Sequence, residues 1–81
     1  MKEFLLISSA RIKDYNLLEE IKKLEGVKEV YMVFGFEYDI VVKLEADSIK
    51  ALRDLENTLA RMKGVKNLLK FPIRMERTVK A

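Results

Sequence analysis

Two rhythms of hydrophobic and polar positions divide the chain into six elements. Residues 3 to 9, EFLLISS, carry a short apolar run that passes into polar residues, the mark of a strand. Leu17, Leu18, Ile21 and Leu24 then recur at helical spacing, with Glu19, Glu20, Lys22 and Lys23 opposite. Asp14 or Asn16 is placed to cap this helix, and Asn16 with Glu19 has capping-box spacing. Gly26 ends it, since glycine enters the left-handed conformation without a Cβ penalty. Residues 27–34 and 38–45 are rich in β-branched and aromatic side chains and are predicted as two strands joined by a hairpin. Asp47 is predicted to cap a second helix with the stripe Ile49, Leu52, Leu55, Leu59 and Met62, which Gly64 ends. A long strand follows from Val65. Val65, Leu69, Phe71, Ile73 and Met75 are expected on one face, and Lys66, Lys70 and Arg74 on the other.

The order is thus β-α-β-β-α-β, and it has an internal echo. LEGVKEV (24–30) resembles MKGVKNL (62–68): each is a helix end, a glycine stop and a strand start. Two βαβ halves of this kind make the split-βαβ plan, an α+β, ferredoxin-like sandwich in a single domain over residues 1–81. The last strand is expected at a sheet edge, where Pro72 does least harm because proline cannot donate to a ladder. Two helices cover only one face of a four-stranded sheet, so the other face would ordinarily be polar. Here both faces are apolar. Leu5 and Ile7 oppose Phe4 and Leu6, Tyr31 and Val33 oppose Val30, Met32 and Phe34, and Val41 opposes Ile40, Val42 and Leu44. A homodimer packed sheet face to sheet face is the expected solution, because an 81-residue core gains stability by oligomerising.

Composition narrows the chemistry. With no Cys and no His, disulfides, thiolate metal sites and imidazole bases are excluded. Ser8, Ser9, Ser48, Thr58 and Thr78 therefore have no imidazole partner, and no nucleophilic catalysis is expected. Glu37 and Asp39 are too few to form a dedicated cation site, and the three glycines are too scattered to cradle a phosphate, so no metal or cofactor is expected. The apolar runs are short, as in Phe4–Ile7, which argues against a membrane span or a signal sequence and for a cytoplasmic protein. The absence of Gln and Cys and the abundance of Lys, Arg and Glu lean towards a thermophilic source. The net charge of +3 is uneven. Arg61, Lys63, Lys66, Lys70, Arg74, Arg77 and Lys80 are accompanied in their segment only by Glu76, which reads as a solvated strand face or as a patch for an anionic partner.

The most distinctive stretch is GFEYDIVVK (35–43), with two carboxylates and a tyrosine at a hairpin tip. It superficially suggests an RNA-recognition strand. The required basic position is Phe34, however, and the register puts the aromatics at the turn instead of mid-sheet. One reading leaves Gly35 to make the turn, with Phe36 and Tyr38 packing at an interface. The other has Asp39 meet a cationic group, such as the ammonium of an amino acid, in a pocket walled by Tyr38.

The stretch GVKEVYMVFGFEYDIVVKLEADSIKALRDL resembles the ligand-sensing domain of the Lrp/AsnC family of transcription regulators, in Gly35, Tyr38, Asp39, Leu44 and Glu45 and in the downstream GVKNL. The resemblance covers nearly the whole chain. It implies the same βαββαβ fold, dimers formed through the sheets that join into tetramers or octamers, and small effectors, often amino acids, bound near the hairpin. Gly35, Tyr38 and Asp39 are the ligand-binding residues it implies. It also implies a non-enzymatic role in transcription regulation. Three departures stand out. No residues remain for a helix-turn-helix ahead of the first strand, so a stand-alone sensing domain is expected, without direct DNA binding and acting with full-length relatives. The hairpin is one residue longer than the family's, with Phe36 and Glu37 sharing one slot. Asn67, Leu68, Leu69 and Lys70 stand where amino-acid-binding members often carry Ser or Thr. Two alternatives are a purely structural assembly module and an ACT-like amino-acid-binding domain. The latter usually has Gly or Pro-Gly between its first strand and helix, and SSARIKD has neither.

Overall fold

The computed structural model describes residues 1–11 and 13–74. The expected positions of Met75, Glu76, Arg77, Thr78 and Lys80 lie outside the described residues. The element order is β1 (Lys2–Ser9), α1 (Tyr15–Lys22), β2 (Val27–Met32), β3 (Ile40–Glu45), α2 (Ile49–Arg61) and β4 (Val65–Ile73). The four strands form one sheet in the order β2-β3-β1-β4, with every pairing antiparallel. This is the ferredoxin-like arrangement, and β4 with Pro72 lies at an edge as its sequence requires. Among the described residues no helix is long and apolar enough to cross a membrane.

Local chemistry sets the element ends. Asp14 caps α1, its Oδ1 accepting from the Leu17 N–H at 2.9 Å. Asn16 falls inside the first helical turn, so the Asn16–Glu19 capping box does not form. Ser48, not Asp47, caps α2: its Oγ accepts from the Ala51 N–H at 3.1 Å, because the helix begins one residue later than Asp47 would allow. Gly26 and Gly64 adopt φ of +94° and +100° at the two helix ends. The internal echo becomes a pair of matched hydrogen bonds. The Gly26 carbonyl accepts from Glu45 N–H at 2.8 Å just as the Gly64 carbonyl accepts from Ala10 N–H at 2.7 Å, so each glycine stop is tied to the end of a central strand.

Both helices lie on one face of the sheet. Leu17 and Ile21 of α1 and Leu52 and Leu59 of α2 pack on Leu5, Ile7, Ile40, Val42 and Leu44. The opposite face carries Phe4, Leu6, Tyr31, Val41, Leu69 and Phe71, brought into adjacent rows by the pairs Phe4–Phe71, Leu6–Leu69, Leu6–Val41 and Tyr31–Val41. Leu69 and Phe71 remain 42% and 48% exposed. The expectation for β4 needs one correction. Val65 does not share a face with Leu69 and Phe71 but packs against the core, because a register shift between Ser8 and Ser9 reverses its side.

Two acidic residues, Glu3 of β1 and Glu56 of α2, interrupt the helix-facing core. Glu3 is 1% exposed. It lies against Glu56 of α2, itself ion-paired at 3.3 Å with Lys70 of β4. Glu3 Oε1 has no hydrogen-bond partner among the described residues. Burial above all, then a hydrogen bond with Glu56 and the charge of Glu56, raise the Glu3 carboxyl to about 8, while Lys70 opposes the shift. The fold therefore favours the protonated acid. Its stabilising contribution is full below the ordinary value of 4.5 and is lost as pH rises through about 8. Glu3→Gln keeps the shape and a donor for Glu56 without a titrating proton. The variant is expected to melt close to the wild type near pH 4.5 and above it at about pH 9. Parallel melting curves across that range would show that Glu3 holds no such proton.

Candidate functional site

β2 ends at Met32 and β3 begins at Ile40, so the hairpin expected between strands 27–34 and 38–45 is in fact a longer loop, residues 33–39. Its two ends are joined by the Val33 N–H donating to the Asp39 carbonyl at 2.7 Å. Within it, the backbone folds tightly at Gly35. A Cβ built there would lie 2.0 Å from the carbonyl oxygen of Tyr38, so any side chain is excluded by contact with the main chain. Phe34 and Phe36 flank this glycine and project into solvent, Phe34 being 94% exposed. The ammonium of Lys13 lies 5.6 Å from the centroid of the Phe34 ring, within cation–π range.

Asp39 closes the loop onto the centre of the sheet. Its N–H donates to the Ile7 carbonyl at 3.0 Å, extending the β1–β3 ladder by one step. Where the ladder would next need a carbonyl, the side chain takes over. Asp39 Oδ1 accepts from the Ser9 N–H at 2.9 Å, and Oδ2 is bonded to the Ser9 hydroxyl. On the other side of β1, Ser8 faces Asn67 and Ser9 faces Val65, so Lys66 is the extra residue of a bulge in β4. The end of β1 is thus held from β3 by Asp39 and bordered on the β4 side by the bulge.

These features enclose a cleft of about 450 Å³, within the range of small-molecule sites. Gly35, Tyr38 and Asp39 all line it, so the three residues singled out in the sequence come together. They do so in different capacities: Gly35 permits the turn, Tyr38 is a half-buried wall, and Asp39 is the half-buried carboxylate. Asn67, one of the residues standing where amino-acid-binding members carry Ser or Thr, also lines the cleft, and so do Ser8, Ser9, Lys13 and Lys66, which were not foreseen. The signal for the two serines was the polar end of β1, which in an antiparallel sheet must adjoin the start of β3. The bulge that carries Lys66 left no mark in the residue pattern. Among the described residues no group of three or more acidic side chains is gathered to hold a metal ion, so Glu37 and Asp39 stay outside any such cluster.

The profile of the Lrp/AsnC ligand binding domain matches residues 4–72, a span that contains all of the sheet but the ends of β1 and β4, both helices and the cleft. The chain belongs to the Lrp/AsnC family. Comparison with curated proteins finds no match. Among solved structures, this Lrp/AsnC domain is similar to a hypothetical protein of Pyrococcus horikoshii, with 29% identity and a TM-score of 0.81 over 93% of this chain and 90% of that one. It is also similar to a protein of Thermus thermophilus, with 26% identity and a TM-score of 0.82 over 95% and 98% of the two chains. AsnC of Escherichia coli shares the fold, with a TM-score of 0.83 at 24% identity. There the match covers 99% of this chain and 54% of AsnC, so the Lrp/AsnC domain spans about half of that regulator's length.

Two substitutions test how the loop is held. Gly35→Ala is expected to destabilise the domain by about 1–3 kcal/mol, the usual cost of forcing extra volume into closed space. Asp39→Ala leaves the Ser9 N–H without its acceptor and is expected to cost a similar ~1–3 kcal/mol. For a domain of this size either loss lowers Tm by roughly 4–8 °C per kcal/mol in a thermal melt. An unchanged Tm in Asp39→Ala would mean that the contact with Ser9 contributes nothing to the fold.

Proposed function

We propose that this Lrp/AsnC domain is the effector-sensing and oligomerising part of a transcription-regulatory system, binding an amino acid in the cleft beside Asp39 and pairing through its open sheet face. The observation that carries the reading is the position of the cleft. It opens at the end of an uncovered apolar sheet face, beside a loop whose two phenylalanines are exposed. An exposed face of this kind marks an interaction surface, and a second copy of the chain brings an identical set of apolar rows to it. A ligand held at the rim of such a contact touches both the sheet end and the loop, and so favours one assembly over another. No catalytic chemistry enters this reading. The domain acts on transcription through regulators with which it assembles.

Asp39 is the natural partner for an amino acid's ammonium. Each of its oxygens accepts one hydrogen bond from Ser9 and retains a further lone pair. The same two bonds support a second reading, a structural assembly module in which Asp39 only fastens the loop and the cleft stays empty. The two readings differ in ligand response.

Thermal unfolding of the purified protein against the common amino acids separates them. A ligand at about 100 times its Kd stabilises by about 2.7 kcal/mol. The control is Asp39→Asn, which retains an acceptor for Ser9. A shift with particular amino acids, lost in that variant, is the expected outcome; no shift with any of them rejects the sensing role and leaves the assembly module. The pairing is checked separately by light scattering on a sizing column. The wild type is expected at twice the protomer mass or more, and Leu69→Asp at a lower mass with unchanged secondary structure, because Leu69 lies on the open face and outside the core. A monomeric wild type would remove the proposed interface.

A further inference from the structure

We propose that the cleft selects an amino acid with a second acid group, its two carboxylates being received by Lys13 and Lys66. This inference rests on the amino-acid-sensing reading above and narrows it to one ligand class. Two cations line the cleft, and each is put there by an irregularity of the backbone. Lys66 is the residue by which β4 exceeds β1 in the bulge opposite Ser8 and Ser9, and a bulge of this kind redirects a side chain out of the strand's alternation. Lys13 has φ of +56°, a left-handed conformation that few residues other than glycine adopt, and its ammonium sits over the Phe34 ring. Neither ammonium has a carboxylate partner among the described residues.

The acidic side of the cleft is Asp39 and Glu37. Glu37 is exposed, so water and salt screen it. Asp39 is half-buried and held by Ser9. One well-placed carboxylate and two unpaired ammonium groups complement a ligand with one amino group and two carboxylates. A neutral amino acid leaves one lysine unmatched. A basic one sets a third cation beside two, a repulsion that itself confers selectivity. The cleft volume of about 450 Å³ leaves room for a side chain that reaches from Asp39 to the lysines.

Calorimetric titration of the whole chain with L-glutamate and L-aspartate, and with the matching amides L-glutamine and L-asparagine, tests this directly. The acids are expected to bind about tenfold more tightly than their amides, with a gap that narrows as salt is added. Lys66→Met and Lys13→Asn are each expected to narrow the gap as well. Asparagine tolerates the left-handed conformation, so the second variant removes the charge without straining the loop further. Equal binding of acid and amide, tighter binding of the amide, or a gap untouched by both lysine variants would overturn the dicarboxylate inference while leaving amino-acid sensing in place. Absence of binding by any of the common amino acids would overturn both.

Discussion

Everything in this domain follows from having one layer of helices for a two-faced sheet. Two helices, eight and thirteen residues long, cover the side on which Leu5, Ile7, Ile40, Val42 and Leu44 are fully buried. Among the described residues nothing covers the apolar residues on the other side. In most antiparallel sheets with one cover the outer rows are polar. Here they pair Phe4 with Phe71 and Leu6 with Leu69, so the protein carries an unsatisfied hydrophobic surface as a permanent feature of its fold. The buried acids are on the wrong side: Glu3 and Glu56 lie in the covered layer, and burial and Glu56 together favour the protonated form of Glu3. Where a core is this small, a buried carboxyl that must hold its proton makes stability depend on pH as well as on packing.

The same economy governs the cleft. A central strand that outruns its neighbour leaves a main-chain N–H unpaired, and buried main-chain donors demand an acceptor. At the end of β1 that donor is Ser9 N–H, and the acceptor is a side chain, Asp39 Oδ1. The carboxylate therefore has a structural duty independent of any ligand. This duty also orients it. Held by two bonds from one residue, Asp39 presents its remaining lone pairs in a fixed direction without further loss of side-chain freedom, which is the condition for recognising a small cation economically.

The fold was largely legible because its determinants are periodic and local. The stripe Leu17, Ile21 and the stripe Leu52, Leu59 identify the helices and their buried sides, and Gly26 and Gly64 mark their ends with positive φ. The misplacements have physical causes. Asp47 and Ser48 are both good caps, and only the helix register decides between them. Strand residues Val33, Phe34 and Tyr38 have high β-propensity, yet the tight approach of Gly35 to the Tyr38 carbonyl pulls all three into the loop. Val65 obeys alternation until the bulge at Lys66 reverses it. The site was half legible for the same reason. Gly35, Tyr38 and Asp39 are close in sequence and form a recognisable pattern. Ser9 joins them through strand pairing, signalled only by the polar end of β1, while Lys13 and Lys66 join them through a left-handed turn and a bulge that residue order does not encode.

Proximity of the cleft to the open face gives the proposed sensing role its mechanism. A ligand shifts an assembly equilibrium only by the difference in its affinity for the two states. A site buried inside one protomer would have no such difference, because its contacts would be the same in every assembly. The cleft is not of that kind: its walls include Phe34 and Phe36, which are exposed among the described residues. A neighbour that covers both the rings and the cleft would lower the local dielectric around Asp39, Lys13 and Lys66 and strengthen their hold on an ionic ligand. Ligand and neighbour then stabilise one another by the same amount, whichever binds first.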